Sequence, residues 1–490
     1  MNKVLCIGLM LWSSLVTAQG VERLSLPDVI GIAQMRSPAY ARTKNTFENN
    51  YWRYQNYRAS RLPALNLNGT LPNINRSIER ITLPDGSDAF VDRSLATSAA
   101  TLSIDQNLPL TGGRFSILSS LQRIDLFGAN ASTSFLSTPI SISYFQNNIF
   151  YNDFRWQKKI EPLVFEEARR AYAEQMEEIA LQSTNLFFEM LAAENNYRLA
   201  EINLANTDTL YKISKGRYDL GKIAENDLLQ IELSMLNARN RLAETSLDLE
   251  LRQQDLKRFL GIPNQQKVEL LVPDNARFFE VIPSKALDES RSNRQAVLQF
   301  RRRRLEAEQQ LARMKGDNGM QVGISANFGL TQRGTLLGSA YTNPQDQQNV
   351  ALTIAVPLIN WGQNKSRIRM AEANRELVEV DVQQEEINFE QEIILQVMRF
   401  NMLKDQLLVA GKADTIAQKR FEVTKERYVI GKISITDLNL SIQEKDQARQ
   451  AYIQMLRTYW NSYYTLRRLT LFDFEKQEKI SPRSASLRAQ

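Results

Sequence analysis

Apolar residues follow two rhythms along this chain. Val322, Ile324, Ala326, Phe328 and Leu330 alternate with Gly, Ser, Asn and Gly, and Val350, Leu352, Ile354 and Val356 alternate with Ala and Thr. Leu65, Leu67 and Leu71, with Asn66 and Asn68 between, and Ile140, Ile142 and Tyr144, with serines between, repeat the pattern earlier. A period of two puts one apolar and one polar face on a strand. The segments reach the ~9–11 residues a tilted membrane strand needs; a soluble half-buried sheet is the alternative. The other rhythm is helical. Leu228, Met235, Leu242, Leu249 and Leu256 fall seven apart, with Leu229, Leu233, Leu236, Ala243, Leu247 and Leu251 in a row beside them. Two apolar seams suit a helix with neighbours on both sides. Long helices are predicted from about Glu161 to Phe259, interrupted only near 216–222, and again from 363 to about 470, interrupted at Gly431. At 1.5 Å per residue a helix of ~60 residues is ~90 Å long. A plain antiparallel coiled-coil stalk is the alternative.

The chain is a tandem duplication. Arg217-Tyr218-Asp219-Leu220-Gly221-Lys222-Ile223, then Asp227-Leu228 and Ala238-Arg239, returns as Arg427-Tyr428-Val429-Ile430-Gly431-Lys432-Ile433, Asp437-Leu438 and Ala448-Arg449. Nine of these 23 aligned positions are identical without a gap, and a fixed period marks a repeated structural unit. The first copy carries an insertion. Leu110-Thr111-Gly112-Gly113-Arg114, flanked by Leu102, Ile104, Phe115 and Ile117, reads as an extra hairpin with Gly in its turn. Joining the sheet would give six strands per chain and a wider pore, and folding outside it would leave four; four is expected, because the second copy holds no partner for the hairpin.

Composition narrows the chemistry. Among 490 residues there is no histidine and one cysteine, Cys6. His-based triads, His or Cys zinc sites, thiolate nucleophiles and haem ligation are thereby excluded. No carboxylate pair has a spacing that compels acid/base or metal work, so no cofactor, metal or catalytic residue is expected. Met1-Asn2-Lys3, a mostly apolar Val4–Val16 and a small-residue Val16-Thr17-Ala18 site have the form of a signal peptide. Cleavage after Ala18 takes the formal charge from +6 to +5 with the loss of Lys3. That mild balance, in an exported chain, argues against nucleic acid as a partner. Arg301 to Arg304 is then a solvated helix face or a cluster near anionic lipid head groups. Glu161, Glu166, Glu167, Glu177 and Glu178 are expected to be surface charges. The predicted organisation is a signal peptide at 1–18, a first repeat at 19–270 with its helical hairpin at 154–260, a second repeat at 271–475 with its hairpin at 363–472, and a flexible tail at 476–490.

The combination resembles the TolC-like outer-membrane efflux proteins, also called outer membrane factors, over nearly the whole mature chain. The resemblance is carried by the duplicated Arg-Tyr-x-x-Gly-Lys-Ile-x-x-x-Asp-Leu at 217 and 427, and by Arg61-Leu62-Pro63-Ala64-Leu65. Val356-Pro357-Leu358-Ile359-Asn360-Trp361-Gly362 and Leu260-Gly261-Ile262-Pro263 belong to it too. It implies a mixed α/β-barrel fold: a homotrimer sharing one twelve-stranded barrel in outer-membrane lipid, continued by a long α-helical periplasmic tunnel. It implies a channel of a tripartite efflux or type I secretion system, with a periplasmic adaptor protein and an inner-membrane pump of ABC or RND type as partners. The adaptor would dock on the hairpin tips, at Gly221, Lys222, Ile223, Gly431, Lys432 and Ile433, the last two of each set exposed. Asp437 matches the position of an acidic ring at the tunnel entrance, and Tyr428 and Asp227 match positions that hold neighbouring helices closed. Three carboxylates on a narrow axis repel one another and attract cations. Leu440 and Ile433 depart from the family pattern, standing where a second acidic residue and a gating Arg are expected. Capping of the second arm is the plainer role for Asp227 and Asp437. The rival readings are an exported coiled-coil scaffold or adhesin without a pore, and a degradative enzyme using carboxylates.

Overall fold

The computed structural model of the chain describes residues 22–128, 131–263, 266, 268–273 and 278–480; the expected signal peptide lies outside them. In chain order the elements are β1 (Glu22–Leu24), α1 (Leu26–Arg36), α2 (Pro38–Ala59), β2 (Ala64–Thr82), β3 (Asp88–Asn107), β4 (Arg114–Phe127), β5 (Ser132–Gln146), α3 (Asp153–Asp219) and α4 (Glu225–Leu260). There follow β6 (Val268–Leu270), α5 (Pro283–Asn293), α6 (Gln295–Asn318), β7 (Gln321–Gly334), β8 (Gln345–Ala355), α7 (Gln363–Val429), α8 (Ile435–Thr470), β9 (Phe472–Asp473) and β10 (Glu478–Lys479).

The duplication is visible in the lengths. α3 and α4 have 67 and 36 residues, and so do α7 and α8. α1 and α5 each have 11. From α1 to α5 the start shifts by 257 residues (26 to 283), and from α3 to α7 by 210 (153 to 363), so 47 extra residues lie in the first copy. By these offsets β2 corresponds to β7 and β5 to β8, and β3 and β4 have no counterpart.

The chain divides into two compact units, one formed by residues up to Thr46, Ala171–Arg294 and everything from Glu390, the other by Phe47–Arg170 and Gln295–Phe389. The second holds an antiparallel sheet in the order β2-β3-β4-β5-β7-β8. The expectation of four strands is therefore corrected: the inserted hairpin is inside the sheet, between β2 and β5. Its turn is pinned at that end. Asn152 Nδ2 donates to the Pro109 carbonyl (2.9 Å), Gln146 Nε2 to that of Thr111 (2.7 Å), and Gln106 Nε2 to that of Arg61 (2.9 Å). In the same unit α2 stacks on α3 through Tyr54 and Phe165, 4.6 Å between ring centres. Of the arginine run, Arg301 is exposed as expected, while the other three are engaged by glutamates. Arg302 reaches Glu167 of α3 at 2.7 Å, and Arg303 and Arg304 reach Glu385, Glu379 and Glu386 of α7 at 2.6–3.0 Å. One helical turn thus ties α6 to both long helices.

The first unit is a set of antiparallel helices with an aromatic core. Phe187, Phe188 and Met190 of α3, Ile393, Val397 and Phe400 of α7, and Leu456, Tyr459 and Leu466 of α8 are buried. Its polar centre is Arg467, whose guanidinium grips Glu177 at 2.8 and 3.1 Å and Asp473 at 2.7 Å. Burial works against the charged guanidinium, but the charge and hydrogen bonds of Glu177 more than offset it and hold the group well above its ordinary range. Glu177, expected at the surface, is thus 3% exposed because it closes an ion pair between α3 and α8. The chain beyond 475 does not leave this unit at once: β10 pairs with β9, and Ile480 N–H donates to the Leu471 carbonyl. Among the described residues no helix is long and apolar enough to cross a membrane.

Candidate gate and docking tips

Each long hairpin reverses at the glycine of the repeated motif. Gly221 has φ 67° and Gly431 φ 76°, left-handed values that cost other residues ~1–2 kcal/mol. The bonding is the same twice over. Gly221 N–H donates to the Tyr218 carbonyl and Lys222 N–H to that of Arg217, both at 2.8 Å; Gly431 and Lys432 donate to Tyr428 and Arg427 at 2.8 and 2.9 Å. This pair of hydrogen bonds closes the last carbonyls of a helix around a left-handed residue, which is why one local sequence yields one turn in both copies.

The lysines after the glycines, Lys222 and Lys432, are exposed as expected, but Ile223 and Ile433 are half-buried. The turn folds the chain back, so Ile433 packs on a cluster of Leu210, Ile231, Phe421, Tyr428, Ile435 and Leu438. The exposed apolar residues at the tips stand before the glycines instead: Leu220 is 75% and Ile430 63% exposed. Sequence reasoning passed over them, although helical period alone sets Ile430 two positions, and about 200° of helix, away from buried Tyr428.

Tyr428 is buried, and its hydroxyl lies 3.2 Å from that of Ser214, tying α7 to α3 across the repeats. Asp437 is exposed and completes a capping box: its carboxylate accepts from Ser434 Oγ (2.7 Å) and Ser434 N–H (3.3 Å), and its own N–H donates to Ser434 Oγ (3.2 Å). The plainer role for this residue is thus present in the structure. Asp227 holds the matching position on α4, half-buried, but the residue before that helix is Ala224, which has no side chain to cap with. The two tips are therefore chemically unequal. Arg217 of the first hairpin lies beside Gly431 of the second, where an added Cβ would come within 3.0 Å of its Nη2.

Above the tips the helices are held by polar groups that the heptad pattern hides. Lys445 is 4% exposed; its ammonium is 3.2 Å from Asn203 Oδ1 and 4.5 Å over the Phe421 ring, while Asn203 Nδ2 donates to Asp446 at 2.6 Å. The ammonium also meets Asp446 Oδ1 at 3.2 Å, so Asn203 of α3 and Asp446 of α8 share the buried cation. Among the described residues no group of three or more acidic side chains is placed to hold a metal ion.

Residues 286–470 match the family model of the outer membrane efflux proteins. Solved structures with the same fold include the outer membrane channel CmeC of Campylobacter jejuni, with a TM-score of 0.66 and 14% identity over 94% of this chain and 88% of that one. CusC, whose structures report transmembrane channel formation, gives 0.63 and 14% over 91% of each chain. The outer membrane protein VceC of Vibrio cholerae gives 0.61 and 14% over 91% of this chain and 95% of its own. No curated protein matches the sequence.

Proposed function

From a chain with the TolC-like fold whose residues 286–470 match the outer membrane efflux proteins, we propose an outer-membrane channel of a tripartite efflux or type I secretion system. It is a homotrimer and a passive conduit, with no chemistry of its own. The sheet sits in outer-membrane lipid and the helices stand in the periplasm. A periplasmic adaptor docks on the tips, and an inner-membrane pump of ABC or RND type supplies the cargo. The observation that carries this reading is the pairing of two matched 67- and 36-residue helix hairpins with a sheet whose outer strands expose leucine, isoleucine and valine on one face. Such a face is stable only against lipid or a partner.

The gate is proposed at Asp437, Tyr428 and Asp227. Three copies of exposed Asp437 form the acidic ring, and buried Tyr428 sets how firmly α7 is held against α3. Docking is proposed at Gly221, Lys222, Ile223, Gly431, Lys432 and Ile433, with Leu220 and Ile430 adding the exposed apolar contact. The test is purification in detergent followed by planar-bilayer recording. A trimer that conducts ions, and loses block by multivalent cations in Asp437→Asn, is expected. A soluble monomer without conductance overturns the channel reading. A conducting trimer whose block is the same in Asp437→Asn leaves Asp437 a helix cap only.

A further inference from the structure

The sheet is open. β2 and β8 form its edges, and every residue of β8 and nearly every residue of β2 is exposed. An open edge leaves a row of backbone N–H and C=O groups unpaired, which hydrocarbon does not tolerate. We propose that β8 of one copy pairs with β2 of the next, so that each chain gives six strands and a trimer closes an eighteen-stranded wall. This rests on the channel reading above and changes the barrel that reading started from.

The inserted hairpin belongs to the wall because it carries the same two faces as its neighbours. Through the observed register one apolar row crosses five strands, Leu65–Ile104–Ile117–Ile142–Phe328. One residue along, the other face gives a polar row, Asp105–Ser116–Ser143–Asn327–Asn349. A hairpin lying outside the wall would have no reason to keep that parity, since a slip of one residue inverts every side chain.

The edges suit each other. Six antiparallel strands make β8 run opposite to β2, so pairing between copies continues the antiparallel ladder without a break. Both edges pass from apolar to polar positions along the outer face. β2 presents Leu65, Leu67, Gly69 and Ile74 and then Arg76; β8 presents Ile354, Leu352 and Val350 and then Gln348 and Asp346. Apolar positions meet apolar positions over the belt, and the cation of one edge stands towards the outer end where the other carries its anion. Barrel diameter grows roughly linearly with strand number, so eighteen strands give a lumen about half as wide again as twelve.

The test uses the mature chain in lipid nanodiscs. An electron cryomicroscopy reconstruction is expected to show eighteen strands around the three-fold axis; twelve, with β3 and β4 displaced from the wall, overturns the proposal. Cysteine pairs report independently, since no cysteine follows Cys6 in the chain. Leu67→Cys combined in turn with Val350→Cys, Leu352→Cys or Ile354→Cys is expected to yield covalent trimers on oxidation for at least one pair, and none for the single variants. Ile117→Cys with Ile142→Cys is expected to bridge within the chain, leaving monomers on a denaturing gel. A conducting trimer that forms no inter-chain bridge in any pair overturns edge pairing and spares the channel. A soluble, non-conducting monomer overturns both.

Discussion

Replacing Arg467 by methionine is the most direct probe of what holds the helical unit together. The guanidinium is 19% exposed and its two carboxylate partners, Glu177 and Asp473, only 4% and 2%. Asp473 keeps other donors after the change: Tyr463 Oη at 3.0 Å and the backbone N–H groups of Glu475 and Lys476 at 3.0 and 3.2 Å. Glu177, by contrast, loses both of its bonds to the arginine. Removing one partner of a buried pair costs ~3–5 kcal/mol, because an uncompensated charge stays behind. With Asp473 still bonded, a cost of about 3 kcal/mol is expected. Unfolding entropy of ~2.1 cal/mol/K per residue makes roughly 1 kcal/mol/K for a chain of this size, so Arg467→Met should melt about 3 °C lower by circular dichroism in detergent. Arg467→Met with Glu177→Gln, which removes the stranded charge as well, should recover more than half of that loss. If the single variant melts within about 1 °C of the parent, or the double variant melts lower than the single, the buried pair does not stabilise α8 against α3 in the way the geometry implies.

Two further predictions concern the tips and a lone carboxylate. Replacing Gly221 and Gly431 together with valine forces a β-branched side chain into left-handed backbone at ~1–2 kcal/mol or more per site, and should abolish export while the trimer still assembles on native gels; unchanged export would make the turns purely structural. Burial raises the Glu194 carboxyl above its ordinary 4.5, against the opposing pull of the Leu270 backbone hydrogen bond. A raised folded-state value means that the native chain holds this proton more tightly than the unfolded chain does. Stability from this group is therefore complete below about pH 4.5 and is lost as pH rises through the raised value. Glu194→Gln should melt higher than the parent at pH 7.5, with the gain gone by pH 4; an equal gain at both would assign it to packing rather than charge.

Much of the molecule could be read from local pattern. Heptad rows at 228–256 require a long helix wherever they lie, and a glycine between two such runs requires a left-handed turn. These are properties of a few neighbouring residues, and the same motif accordingly gives the same bonds at Gly221 and Gly431. What touches what is a different matter. Alternation at Leu102, Ile104, Phe115 and Ile117 identifies a hairpin with one apolar face, but not the strands beside it, because strand order depends on partners far away in the chain; only the fold sets that hairpin between β2 and β5. Likewise a glutamate on a long helix reads as solvated until another element brings it a cation. Glu177 is buried because Arg467, 290 positions away, reaches it, and Arg302 to Arg304 are engaged because α6 lies against two helices carrying glutamates. Period determines which face a residue shares. Only tertiary structure decides what that face meets, since the free energy of a charge or an edge strand depends on its neighbour rather than on its place in the sequence.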